Sequence, residues 1–328
     1  MPRIGMNPGR GKKSAYLPAR VTVAVLTYIP NQVGYFQDRL EVTRTCIRSI
    51  LSNTTAPYDL MVFDNGSCRE AVDMLREMRM AGEIDFLMLS ARNIGKIGAL
   101  KMIFASAPGE IIAYTDDDVF FLPGWLERHL QVIDTYPEVG AVTGMYIKPH
   151  MKEGVTATLK FGERTDVAVE KGNLVDLALE QHYIDQTGRT WERYQEEISG
   201  LEDVRLTYKG VETFASAGHY QMTVPKDAIL RALPQEWSGN LMGQMRDLDV
   251  AIDHLGLLRL CTTPPTIRLL GNQIDEKSAD ELRGYGVEVR GVKGTSEKIG
   301  WKKKILRLAL IQKIAYYIYE RLFRVINA

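Results

Sequence analysis

The chain has little that would mark a secreted, zinc-centred or membrane-spanning protein. Its 328 residues contain three cysteines, Cys46, Cys68 and Cys261. Their odd number and lack of metal-type spacing speak against a disulfide framework, and reduced thiols in a cytosolic protein are the expectation. The five histidines, His129, His150, His182, His219 and His254, form no HxxxH or HExxH pair, which argues against a zinc hydrolase. The N-terminus lacks the apolar core of a signal peptide, and no run of about 18 apolar residues exists, so no membrane span is expected. An excess of one charge is also missing. Lys plus Arg and Asp plus Glu are each 41, so no strong field draws the whole molecule onto nucleic acid, and no nucleic-acid partner is expected.

What the chain does have is ordinary globular composition, 45% hydrophobic and 25% charged, enough for one large α/β domain with appendages or for two domains. Positive charge collects at the ends. Residues 1–20 carry Arg3, Arg10, Lys12, Lys13 and Arg20 among Gly and Pro without periodicity, and read as a mobile basic arm.

From residue 21 onward strand and helix signals alternate. Val21 to Thr27 is a continuous apolar run of the kind buried on both faces of a parallel sheet, and residues 38–52 follow with helical spacing. Tyr58 to Phe63 is a second strand ending in Asp64-Asn65-Gly66-Ser67, before a helix over about 69–80. Phe86 to Leu89 is a third, followed by Asn93-Ile94-Gly95-Lys96 and a helix through Ala105. A fourth, Ile111 to Tyr114, runs into Asp116, Asp117 and Asp118. Four such units imply a mostly parallel, Rossmann-like sheet with helices on both faces.

Three like charges at the mouth of a buried strand repel one another unless a cation or a set of donors sits among them. Pro123-Gly124-Trp125 begins a helix, but capping it needs one carboxylate, which leaves two unexplained. The loops after the four strands would gather along one sheet edge and bring together Thr27 and Tyr28, Asp64 and Asn65, Asn93 and Lys96, and the aspartates. Hydrogen-bonding groups for base and ribose at one end, and metal with phosphate at the other, would suit a nucleotide. Each loop also has a structural reading, Asp64-Asn65-Gly66 as a simple turn among them. Further on, Met245 to His254 has helical spacing with Asp247 at the helix start, where the macrodipole favours acids, and Asp249 with Asp253 on a face away from Leu248, Ile252 and Leu255.

The series Thr27-Tyr28, Asp64-Asn65-Gly66-Ser67, Asn93-Ile94-Gly95 with Ala99, and Asp116-Asp117-Asp118 followed by Pro123-Gly124-Trp125-Leu126 resembles the family 2 glycosyltransferases of the GT-A fold. The resemblance covers residues 21–147 well and 213–272 more loosely. It implies a GT-A-type domain over 21–272, with a nucleotide-binding half (21–147) and an acceptor half (148–272). It also implies inverting transfer of a hexosyl or related sugar from a nucleotide diphosphate donor to a hydroxyl acceptor, and the basic tail at 301–328 points to a glycan or lipid-linked acceptor in surface glycan or glycolipid assembly. Asp116 and Asp118 would form the DxD pair, with Asp118 the direct ligand of Mg2+ or Mn2+ and Asp117 touching ribose or steadying the loop. Asp247 matches the family's catalytic base. Arg246 stands where members often have Glu, and Leu269 where many have a His that supports the metal or diphosphate. His219 or His254 would then have to compensate, or water and phosphate complete the shell.

Residues 273–300 read as a linker, and 301–328 as a basic amphipathic helix that could meet a membrane surface, pack on its own domain or form a homodimer. A cytoplasmic protein, peripheral on the inner face of a membrane, is the expected setting. Two other readings share the pattern. A sugar-phosphate nucleotidyltransferase should carry a Gly-rich, basic phosphate loop where this chain has Tyr28-Ile29-Pro30-Asn31-Gln32, and a non-catalytic nucleotide-sugar-binding scaffold would be consistent with Arg246 and Leu269.

Overall fold

The structure is a computed structural model and describes residues 5–55, 57–236, 241–242 and 245–289. Its first half is the expected alternation: β1 (Val21–Thr27), α1 (Arg39–Asn53), β2 (Tyr58–Asp64), α2 (Arg69–Met80), β3 (Phe86–Leu89), α3 (Lys96–Ser106) and β4 (Ile111–Asp116). A short β5 (Val119–Phe121) leads to α4 (Trp125–Thr135), β6 (Val139–Thr143), α5 (Thr156–Gly162), β7 (Val167–Gly172), α6 (Leu177–Thr187) and α7 (Trp191–Ile198). Then come β8 (Asp203–Tyr208), β9 (Val211–Ala215), β10 (Gln221–Pro225), α8 (Lys226–Ala232), α9 (Met245–His254), β11 (Leu258–Thr262), β12 (Ile267–Leu269) and α10 (Glu276–Gly284).

Ten strands form one sheet in the order β3-β2-β1-β4-β10-β6-β11-β9-β8-β7. The pairs among β1 to β4 are parallel, and only β10, β9 and β7 oppose the common direction, so seven of the ten strands run the same way. This is the Rossmann-like, mostly parallel sheet expected, extended by an antiparallel wing. The apolar runs are continuous because both faces are covered. Val21, Val23 and Val25 face α1, α2 and α10, while Ala24 and Leu26 face α3, α8 and α9.

The carboxyl end of β4 is held in place from α1. Ser49 Oγ accepts from Phe121 N at 3.0 Å, and Asn53 Nδ2 donates to Phe121 O at 2.7 Å, so two polar side chains of a buried helix face clamp β5. On its other side β5 pairs with β12. The turn between β4 and β5, which carries the aspartates, therefore hangs between two fixed strands.

Three expectations change. The stretch read as a linker contains α10, whose Ala279 and Leu282 are buried in the core. The basic arm is tied down at its inner end, where Tyr16 Oη and Ala19 N donate to Asp59 Oδ2. Leu255 lies just past the end of α9 and is exposed, whereas Asp249 and Asp253 on α9 are buried and bonded. The helix expected over 301–328 lies outside the described residues. Among those described, no helix is long and apolar enough to cross a membrane.

Candidate active site

The backbone of the aspartate turn is fixed at both ends. Asp116 N donates to Tyr220 O at 2.8 Å, just before β10, and Leu270 N donates to Asp118 O at 2.8 Å, just after β12. Each carboxylate then meets its own partners. Asp116 accepts from Lys96 Nζ at 2.7 Å and from Tyr114 Oη at 2.5 Å. Asp117 is buried and accepts from Thr27 Oγ1 at 2.6 Å, Thr43 Oγ1 at 2.8 Å and the Arg39 guanidinium. Asp118, partly exposed, accepts from Arg39 at 3.0 Å through Oδ2. Burial pushes the Asp118 carboxyl up to about 6, with Arg39 opposing and Asp116 and Asp117 adding. For Arg39 burial is the largest influence and works against the charge, yet Asp117 and Asp118 hold its pKa above the ordinary value.

The loops after β1, β2 and β3 are knitted to this turn and to each other. Asn65 N donates to Thr27 O, and Cys68 N to Ile29 O. Asn65 Nδ2 donates to Asn93 Oδ1 at 3.0 Å, and Asn65 Oδ1 accepts from Ile94 N at 2.9 Å. The loops approach so closely that a Cβ on Gly66, whose φ is +87°, would stand 2.5 Å from the carbonyl carbon of Arg92. Asp64 Oδ2 caps the turn through Gly66 N and Ser67 N, whereas Asp64 Oδ1 is buried without a partner among the described residues. Burial pushes the Asp64 carboxyl up. A buried carboxylate oxygen without a donor at a loop cluster is the kind of group a ligand N–H satisfies. Tyr28 lies at the rim, its ring 6.1 Å from Phe36.

The residues named from the sequence, Thr27, Tyr28, Asp64, Asn65, Asn93, Lys96, Asp116, Asp117 and Asp118, are gathered by the structure at one edge. Asn65 and Asn93 spend their bonds on joining loops. Arg39, Thr43 and Tyr114 were missed. Arg39 carried a signal, since a cation in the first turn of a helix opposes the macrodipole and so asks for an acidic partner.

Asp247 stands exposed in the first turn of α9 and is bonded to none of these groups among the described residues. Beside it is a second polar cluster that the sequence did not reveal. Buried Arg259 pairs with Asp249 at 3.0 Å, and Asp249 accepts from His219 Nδ1 at 2.8 Å. His219 stacks on His150, with ring centroids 5.6 Å apart. His150, Tyr183, Arg189, His219, Arg246 and Asp249 line a cavity of about 180 Å3. His219 is therefore engaged with Asp249 rather than with the aspartate turn, and His254 is exposed. Leu269 pairs with Val119, next to Asp118.

No group of three or more His, Cys, Asp or Glu converges as a metal centre among the described residues. Asp118 Oδ1 is the carboxylate oxygen of the turn that no described group bonds. One hard oxygen ligand suits a cation that takes its remaining ligands from diphosphate and water, as Mg2+ can.

Residues 36–186 match the model of glycosyl transferase family 2. An uncharacterised glycosyltransferase of Nostoc sp. is 28% identical over 96 residues, which are 29% of this chain and 30% of that protein. Among solved structures, the mannosyltransferase PcManGT of Pyrobaculum calidifontis, in complex with GDP-Man and Mn2+, aligns with a TM-score of 0.41 at 16% identity, over 78% of this chain and 59% of that one. TarS of S. aureus aligns with a TM-score of 0.45 at 12% identity, over 77% of this chain and 60% of that one. In each case the match spans less than two thirds of the relative's length.

Proposed function

We propose that this chain, whose residues 36–186 match glycosyl transferase family 2, transfers a sugar from a nucleoside diphosphate donor to a hydroxyl acceptor with inversion. The observation that carries this is the convergence of the loops after β1 to β4 on Asp116–Asp118, beside an Asp64 Oδ1 that has no partner among the described residues and that a base or ribose donor would satisfy. The donor's diphosphate lies at Asp118 and Lys96. Asp118 would hold a divalent cation there through its free oxygen, with Asp116, engaged by Lys96 and Tyr114, at its edge; the cation would offset the charge that develops on the departing diphosphate. Lys96 adds a protein cation at the same place.

A sugar hydroxyl is a weak nucleophile at neutral pH, so a positioned carboxylate must take its proton as it attacks. Asp247 is that base. The acceptor oxygen bonds to the anomeric carbon, the bond to the diphosphate oxygen breaks on the opposite side, and the proton passes to Asp247. The cavity lined by His219 and Arg246 receives the acceptor; Arg246 is the residue before the base, and the lining suits a hydroxyl-rich ligand. A glycan or lipid-linked acceptor at the inner face of a membrane fits the basic segment 301–328.

The test is release of nucleoside diphosphate from a panel of nucleotide sugars, by the wild-type chain and by Asp247→Asn. We expect turnover of one donor class, a drop of about 10²-fold or more in the variant, and unchanged nucleotide binding. Full turnover by Asp247→Asn removes the base assignment.

A further inference from the structure

Counted oxygen by oxygen, the aspartate turn is almost saturated by the protein itself. Asp116 gives one oxygen to Tyr114 and the other to Lys96. Asp117 gives Oδ1 to Arg39 and Oδ2 to Thr27 and Thr43. Asp118 gives Oδ2 to Arg39, so five of the six oxygens are taken and Asp118 Oδ1 remains. Three carboxylates against Lys96 and Arg39 leave a formal charge of −1.

Arg39 holds this arrangement from a buried position. It is 7% exposed, and besides the two carboxylates it donates to Gly271 O at 3.2 Å, which ties the loop after β12 to the aspartates. A guanidinium can do this because its fork presents several N–H groups in one plane; a single ammonium cannot span the same acceptors.

We propose that Arg39 is the resident counter-cation of the aspartate turn and makes divalent-cation binding conditional on a bound nucleoside diphosphate. This rests on the function proposed above and extends it to the order of binding. A hard cation that arrives alone finds one free carboxylate oxygen and a single net negative charge. That is too little to replace its water, since such ions take six or more oxygen ligands. A diphosphate brings both further oxygens and the missing negative charge. Without the Arg39 charge the turn would carry −2 and offer three carboxylate oxygens from Asp117 and Asp118, enough to draw a cation unaided.

Isothermal titration of Mn2+ into the full chain, alone and with UDP or GDP present, tests this. The wild type should bind Mn2+ weakly alone, with a Kd of about 1 mM, and at least roughly tenfold more tightly with one of the two diphosphates. Arg39→Gln should bind Mn2+ without nucleotide at least roughly tenfold more tightly than the wild type. Equally tight wild-type binding with and without nucleotide overturns the proposal, as does unchanged nucleotide-free affinity in Arg39→Gln shown to be folded by its melting curve. Should that variant fail to fold, Arg39→Met carries the same test, because it also removes the charge and frees the oxygens while filling much of the space; unchanged affinity there overturns it equally. The two readings fail separately. Conditional binding in the wild type with an unchanged Arg39→Gln counts against Arg39 alone. Tightened binding in Arg39→Gln, with no effect of either diphosphate on the wild type, still overturns the proposal and places the failure in the donor site, not in Arg39.

Discussion

Three adjacent aspartates persist at the end of a buried strand because their charge is divided among separate partners: Lys96 and Tyr114, two threonine hydroxyls, and Arg39. The aspartates were legible in the sequence because so costly a cluster needs a reason. Arg39 was not, because its partners lie 78 and 79 positions away and only the fold brings them together. His129 shows the same limit. Its fully buried ring lies 2.7 Å from Thr223 Oγ1 and 3.0 Å from Thr266 Oγ1, and burial lowers its pKa to about 3. The folded state therefore refuses a proton that the unfolded chain accepts below roughly pH 6.5. The stability this group contributes is fully present above that pH and falls by about 1 kcal/mol per pH unit on acidification toward the folded pKa. Denaturant unfolding between pH 7 and 5 should show this slope in the wild type and a shallower one in His129→Gln. Equal slopes would mean that His129 does not titrate on unfolding.

The βα units of the first half were readable element by element because their strands are buried on both faces and so are apolar without interruption. Residues 148–212 were not. There β7 is a largely exposed edge strand with charged residues, and α6 and α7 bury few side chains, so neither period stands out. The loops between the early elements are where Gly66 matters. Gly66→Ala places a methyl group against the Arg92–Asn93 backbone at a positive φ, and should cost more than about 1 kcal/mol and part the loops after β2 and β3. Thermal unfolding and nucleotide affinity should fall together. A variant of unchanged stability and affinity would show that the close approach of these loops is not needed.

At the scale of the whole molecule, the sheet divides into a parallel half, at whose edge the loops and the aspartate turn meet, and an antiparallel wing, while the second cavity is lined from α6, α7, α9 and the segments before α5 and β10. The order of the short motifs carried the family resemblance, and the family match, over residues 36–186, overlaps the same region. Neither the packing of α10 on the core nor the Arg259–Asp249–His219 cluster could be read, because both depend on contacts between distant segments. The central claim is that the edge formed by the loops after β1 to β4 binds a nucleoside diphosphate with a divalent cation. A thermal-shift screen of the purified chain against nucleoside diphosphates and nucleotide sugars, with and without Mn2+ or Mg2+, tests it most directly, because a ligand that binds only the folded state raises the melting temperature with concentration. The account predicts a metal-dependent rise with one nucleotide and loss of the metal-dependent part in Asp118→Ala. No rise with any nucleotide, in protein shown to be folded, would contradict it.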